Sequence, residues 1–335
     1  MALLDLNHSI YVSGSKGMVG SAICKKLRAI GYTEEKKNLI TCDRNQLDLT
    51  DHDEVAEWFK KKTPDVVILA AAKVGGIIAN QTSPVDFLLE NLKIQNNLIE
   101  LSFKFDVKRL LFLGSSCIYP KFASQPIQEY SLLTKPLEDS NQWYSIAKIA
   151  GLKLCEAYRK QFNFDTISLM PTNLYGPGDN YTANESHVMA SMIRKFYEAK
   201  NNNNKEVICW GSGKPLREFL YVDDLAEACI HVLKKWAPNK NNSPLDNNSR
   251  IINWMNVGCS HEISIKDLAH KIANIIDFQG EIIWDSSKPD GTPRKKLDTK
   301  FINKLGWSAS TDLDEGIKKT LESFKQDLLN GKLRT

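Results

Sequence analysis

Through the first half of the chain, short unbroken apolar runs alternate with stretches of helical periodicity, and this alternation restricts the fold more than any other feature. The runs are SIYVSG (9–14), NLITCD (38–43), VVILAA (66–71), RLLFLGS (109–115) and TISLMPTNL (166–174). Between them stand MVGSAICKKLRAI (18–30), DEVAEWFKKK (53–62), 83–105 and 142–162, each with apolar residues near helical spacing. Continuous hydrophobicity marks strands covered on both faces, and β-α alternation joins such strands in parallel. The expected fold is therefore α/β, a doubly wound parallel sheet. Ligands of such sheets lie beyond the carboxyl ends of the strands, and Ser115 and Cys117 fall at one of those ends.

After about residue 175 the pattern loosens. Helices are expected near 185–200, 223–236, 264–276 and 313–330, a further strand at 252–258, and loops in the Asn-rich tracts 200–206 and 239–250. The chain divides on this reading into a dinucleotide-binding unit, 8–174 with 219–259, and a smaller, partly interleaved α/β substrate unit, 175–218 with 260–335. Its 335 residues are enough to bury both. Forty-four basic against 40 acidic residues leave a net charge of +4, too small and dispersed for a nucleic-acid or membrane surface. The longest apolar run, VVILAAA (66–72), is far short of the roughly 20 residues of a membrane helix. Seven cysteines without a C-x-x-C pair, and no leader before them, point to a reducing, cytoplasmic setting. Six histidines without zinc-ligand spacing give no reason to expect a metal.

GSKGMVG sets Gly14, Gly17 and Gly20 between the first strand and the first helix, as in Rossmann dinucleotide-binding turns. Glycine there lets the turn tighten, the pyrophosphate approach the backbone, and the helix N-terminus offer its N–H groups to phosphate. The plainer reading is a glycine-rich turn, which the flanking strand and helix argue against. Ser15, Lys16, Met18 and Val19 complete the loop. At the second strand end, Asp43 would accept from a ribose 2′-hydroxyl, as NAD requires, whereas Arg44 would hold the 2′-phosphate of NADP. Lys16 adds a second cation, and the expected cofactor is NADP(H).

YSIAK places Tyr144 and Lys148 four residues apart, on one face of a helix. An ammonium beside a phenol favours the phenolate, so Lys148 is expected to lower the Tyr144 pKa. The pair follows Ser115 by 29 residues. With the glycine loop, these residues resemble the extended short-chain dehydrogenase/reductase family. The resemblance implies that Ser115 hydrogen-bonds a substrate carbonyl oxygen, that Tyr144 is its general acid, and that Lys148 holds the nicotinamide ribose. It also implies cofactor contacts from Pro171, Asn173, Leu174 and His187.

LGSSCIYPK, MPTNLYGPGDN, SHV, WGSGKPLREFLYVDDLA and KPDGTPRKKLD narrow the likeness to members that act on GDP-4-keto-6-deoxy-mannose, inverting carbons 3 and 5 and reducing carbon 4. In a 4-keto sugar the ketone acidifies the protons on both carbons, so inversion needs groups that remove a proton from one face and return one to the other. A thiol near pKa 8.5 and an imidazole near 6.5 straddle neutrality, and Cys117 with His187 would form the pair. Alone, each residue reads more plainly as packing or a helix start. The same likeness makes Arg217 a diphosphate clamp and sets Lys195, Trp210, Asp290, Lys295 and Asn173 against the GDP-sugar. Lys195 stands where an arginine is expected, so Arg194 is a candidate substitute, and Asn173 is equally a turn brace. Homodimerisation through 83–105 and 142–162 is a further implication. The alternatives are a nucleotide-sugar 4,6-dehydratase or 4-epimerase, which recycles NAD, and a non-catalytic dinucleotide- or RNA-binding relative.

Overall fold

The computed structural model describes residues 4–183, 186–237, 241, 243–288 and 290–334. A central sheet holds β1 (Ile10–Ser13), β2 (Leu39–Thr41), β3 (Val66–Leu69), β4 (Arg109–Leu113), β5 (Thr166–Pro171) and β9 (Trp254–Val257). They are all parallel, in the order β2-β1-β3-β4-β5-β9. Every residue of β1, β3, β4, β5 and β9 is buried, which explains why their sequences do not alternate. The connection from β1 runs outward to β2 and then returns to β3 on the other side. That reversal opens a crevice past the ends of β1 and β3.

Helices α1 (Met18–Ala29) and α7 (Val222–Lys235) cover one face, sharing a core with the sheet. The other face carries α2 (His52–Lys62), α4 (Pro84–Lys104) and α5 (Gln142–Phe162), with a short α3 (Ile77–Thr82) before α4. Asp51 caps α2 by accepting from the backbone N–H groups of Asp53 and Glu54. Gly151 lets α4 and α5 meet closely, since a Cβ there would lie 2.7 Å from Gln95 and Phe112.

The expected strand 166–174 is two strands in different sheets. Pro171 has no N–H to prolong the ladder, and β6 (Asn173–Tyr175) pairs instead with β8 (Leu216–Tyr221). That sheet also holds β10 (Glu262–Ser264) and β12 (Arg294–Lys295). A two-stranded sheet joins β7 (Glu206–Trp210) to β11 (Glu281–Asp285). Around them pack α6 (Val188–Asn201), α8 (Ile265–Ile276) and α10 (Leu313–Leu329), with α9 (Lys300–Lys304) beside β9. Strand β8 crosses the position where sequence reading divided the chain, at 218/219, because its early residues pair with β12 and its later ones with β6. The Asn-rich tract 239–250 lies partly outside the described residues. Among the described residues, no helix is long and apolar enough to cross a membrane.

One buried polar cluster fixes the turn after β4. Tyr119 donates from its hydroxyl to Asn256 Oδ1 on β9 at 2.6 Å, and Glu129 Oε1 accepts from the Asn256 N–H at 3.0 Å. Burial pushes the Glu129 carboxyl up to about 7. A folded-state pKa above the unfolded one means stability that is full below about pH 4.5 and drains as pH rises through 7. Glu129→Gln, which keeps an acceptor without titrating, is therefore expected to raise the thermal midpoint by roughly 3 °C at pH 8 and to change it little at pH 5, as scanning calorimetry would show.

Candidate active site

The glycine loop is built for close approach. Gly14 takes φ +71° against β3's exit, where a Cβ would stand 2.8 Å from the Ala71 backbone. At Gly20 a Cβ would fall 2.1 Å from the Gly14 carbonyl oxygen, so the loop and the first turn of α1 can nest only with glycine there. No side chain caps α1, and its first turn holds no carboxylate. Its N-terminal dipole therefore faces the cavity with no carboxylate of its own first turn to compete. The cradle and the open helix start fit a dinucleotide pyrophosphate.

Gly14, Ser15, Lys16, Gly17, Met18, Val19 and Gly20 all line one cavity of about 580 Å³. Arg44, Pro171, Asn173, Leu174 and His187 line it too, as do Ser115, Cys117 and Tyr144. Asp43 is also present, but its Oδ1 accepts from the N–H groups of Asn45 and Gln46, at 3.0 and 3.2 Å. That turn engages one oxygen of the carboxylate, while Arg44 and Lys16 also stand in the cavity lining.

Beyond β4 the chain turns through a 3₁₀ segment, Ser116–Ile118, capped by Ser115 Oγ accepting from the Cys117 N–H at 3.1 Å. The Cys117 sulfur receives two further groups from distant segments: Asn141 Nδ2 and Lys295 Nζ, each at 3.2 Å. Burial alone would push this thiol up. The Lys295 ammonium, together with hydrogen bonds from Ser115, Lys295 and Asn141, reverses the balance and holds it below the ordinary thiol value. His187 stands at the N-cap of α6 and lines the cavity; although the residue is solvent-exposed overall, desolvation of its ring and then the Lys295 charge keep it below the ordinary imidazole value. The same ammonium thus bears on both groups: it favours thiolate and disfavours imidazolium. Lys295→Met is expected to move the midpoint of Cys117 alkylation by iodoacetamide to higher pH, read from rate against pH with the modified peptide identified by mass.

Tyr144 does not have the lowered pKa expected from its neighbour. Burial, then the nearby Cys117, push the phenol well above its usual value, and a hydrogen bond with Ser115 only partly opposes them. Lys148 is itself buried and its pKa is lowered to about 8. It donates to the Leu113 carbonyl at 2.9 Å and lies 5.8 Å from the Tyr144 ring centre. At neutral pH Tyr144 is a protonated phenol, equipped to donate.

Of the residues expected against the sugar nucleotide, Asn173 lines that cavity, whereas Lys195, Trp210, Arg217, Asp290 and Lys295 lie outside its lining, on and around the smaller sheets. Lys295 on β12 stands directly opposite Arg217 on β8, which carries the guanidinium next to the ammonium that faces Cys117. Trp210 lies under two cations, Lys195 at 5.1 Å and Lys288 at 5.7 Å from the ring centre. Lys195 also donates to the Ile208 carbonyl at 3.2 Å. Asp290 holds Ser212 by its N–H and hydroxyl, both at 2.7 Å, which orders the loop after Trp210. Asn173 spends its amide on the Glu218 carbonyl at 2.9 Å, the bracing reading. Arg194 is engaged with the Tyr181 carbonyl and Glu198, so it is not a spare cation in place of Lys195. Sequence reasoning missed Asn141 and the placement of Lys295 against sulfur. Asn141 lay three residues before Tyr144 without a motif to mark it.

A nicotinamide-type dinucleotide cradle leading into a Ser-Tyr-Lys set with an added thiol and imidazole defines a class. Residues 10–245 match the family model described as "NAD dependent epimerase/dehydratase family", and the chain belongs to that family. Over 324 residues it is 49% identical to the GDP-L-fucose synthase of Sinorhizobium fredii, covering 97% of each chain. Among solved structures it resembles a GDP-6-OMe-4-keto-L-xylo-heptose reductase from C. jejuni, with a TM-score of 0.89 and 33% identity over 97% of this chain and 99% of that one. It also resembles a GDP-L-fucose synthetase from Naegleria fowleri bound to NADP, with a TM-score of 0.83 and 27% identity over 99% and 98% of the two chains.

Proposed function

We propose that the protein converts GDP-4-keto-6-deoxy-D-mannose to GDP-L-fucose, as an NADPH-dependent 3,5-epimerase and 4-reductase. The observation that carries this reading is that Cys117, His187, Ser115 and Tyr144 line one cavity, with the Cys117 thiol held below its ordinary pKa by Lys295. Cys117 and His187 take a proton from one face of carbons 3 and 5 and return one to the other, through the enolate that the carbon-4 ketone stabilises. Ser115 hydrogen-bonds the carbonyl oxygen, and Tyr144, kept protonated by its surroundings, gives that oxygen a proton. Bound NADPH supplies the hydride that reduces carbon 4. Lys148 would hold the nicotinamide ribose. Hydride and proton together turn the ketone into an alcohol.

Arg44 and Lys16, both in the cavity lining, favour the 2′-phosphate of NADP, and one oxygen of the opposing Asp43 carboxylate is already engaged by its own turn. The central sheet carries the dinucleotide and the smaller sheets carry the GDP-sugar, with Arg217 and Lys295 toward the diphosphate and Trp210 toward the nucleotide. A 4,6-dehydratase would want a carboxylate pair by the serine, and the groups around the Cys117 sulfur are Asn141 and Lys295. The outward faces of α4 and α5 expose Val85, Leu89, Trp143 and Ile146, which supports a homodimer through those helices. All seven cysteines are free thiols, which supports a reducing, cytoplasmic compartment.

Incubating the protein with GDP-4-keto-6-deoxy-mannose and NADPH should consume one cofactor for each GDP-L-fucose formed, followed at 340 nm and by chromatography. Product without NADPH loss would defeat the reductase reading. Reduction without deuterium entering carbons 3 and 5 from heavy water would favour a simple 4-reductase, the activity named for the C. jejuni structure.

A further inference from the structure

Beyond α10 the chain makes a deliberate return toward the dinucleotide cavity. Asn330 ends the helix, and Gly331 adopts φ +63°, the left-handed conformation that reverses a chain after a helix. The Lys332 N–H donates to the Asp327 carbonyl at 2.8 Å and locks the reversal. Leu333 then packs onto the hydrophobic cluster shared by α6, α8 and α10, and the Arg334 carbonyl accepts from the Tyr181 N–H at 2.8 Å. A side chain and a backbone bond thus hold this segment against the body of the protein.

The guanidinium at its end reaches the loop Gly176–Asn180. Arg334 Nη1 donates to the Gly178 carbonyl at 3.2 Å, one of its five N–H donors. Gly178, at φ +78°, abuts the first turn of α1, since a Cβ on it would lie 3.8 Å from Met18 Cα. Arg334 and Asp179 both line the dinucleotide cavity. Asp179 is only 4% exposed, and its Oδ2 is buried without a hydrogen-bond partner. The exposed Arg334 is therefore a cation set beside the uncapped start of α1, on a tethered segment remote in sequence from the glycine loop.

We propose that Arg334 is a binding residue for the dinucleotide, its guanidinium meeting the pyrophosphate beside the α1 N-terminus while Leu333 and Tyr181 hold the segment as a strap over the cavity. The inference rests on the cofactor reading above and adds a contact that the glycine loop does not supply. A guanidinium and a helix start are complementary means of holding one anion: the first brings a full charge and paired donors, the second fixed N–H groups.

The test compares the parent with Arg334→Gln and Arg334→Lys by calorimetric titration of NADPH, NADH and adenosine 2′-phosphate. Arg334→Gln should weaken NADPH and NADH alike, by about tenfold, the order of one charge-assisted hydrogen bond. Arg334→Lys should recover part of that loss. Adenosine 2′-phosphate has no pyrophosphate and should bind all three proteins equally. Saturating NADPH should also slow tryptic cleavage after Lys332, followed by intact mass. Unchanged dinucleotide affinity in Arg334→Gln overturns the proposal, as does an equal loss for adenosine 2′-phosphate or a tail cleaved equally fast with and without NADPH. A parent that binds NADH as well as NADPH would count against the 2′-phosphate reading alone, because the Arg334 comparison reads equally well with either dinucleotide.

Discussion

Replacing Cys117 with serine stops deuterium from heavy water entering carbons 3 and 5 of the keto sugar, by a factor of about 10² to 10⁴, while NADPH binds as before. The geometry gives the reason. Sulfur at 3.2 Å from the Lys295 ammonium ionises more readily than an ordinary thiol and can both accept and return a proton. A serine hydroxyl in the same place is far too weak an acid to do so, however well Lys295 and Asn141 hold it. The substitution removes no large volume and leaves the glycine loop untouched, so cofactor titration separates a chemical loss from a folding one. The measurement is mass or proton-resonance detection of deuterium in recovered sugar. Exchange as fast as in the parent would mean that the cysteine is filler and that the protons move elsewhere.

Tyr144→Phe has the complementary outcome. Reduction at carbon 4 slows by about 10² to 10⁴, read as NADPH absorbance, and exchange at carbons 3 and 5 persists because Cys117 and His187 remain. The phenol's pKa is raised by burial and by Cys117, so the tyrosine enters the reaction protonated and gives up its proton only as the ketone oxygen gains charge. Phenylalanine keeps the ring and its packing but has nothing to donate. If both activities fell together, the two halves of the chemistry would share the phenol, and the division of labour proposed above would be wrong.

The parallel sheet and the glycine turn were legible because they depend on patterns within about 30 residues: buried runs, helical spacing, and glycines where a Cβ would strike Gly14. The break in 166–174 was written in Pro171, yet the apolar residues on either side read as one run. Cys117 and His187 could be proposed as a pair through motif resemblance, and both line the same cavity. Lys295 against sulfur was beyond reach, because β12 is two residues long and meets a turn 178 positions away. The acidity of Tyr144 was misjudged for a related reason. Helical spacing sets Lys148 on the same face, but it does not reveal that Lys148 is buried and turned to the Leu113 carbonyl, nor how deeply the phenol sits.

The sulfur belongs to the rim of the central sheet, and the ammonium opposite it belongs to a strand of the other one. Reactivity at residue 117 is therefore a property of the two layers in register, not of either by itself. Without the lysine from the other layer, residue 117 would carry only an ordinary, more weakly acidic thiol.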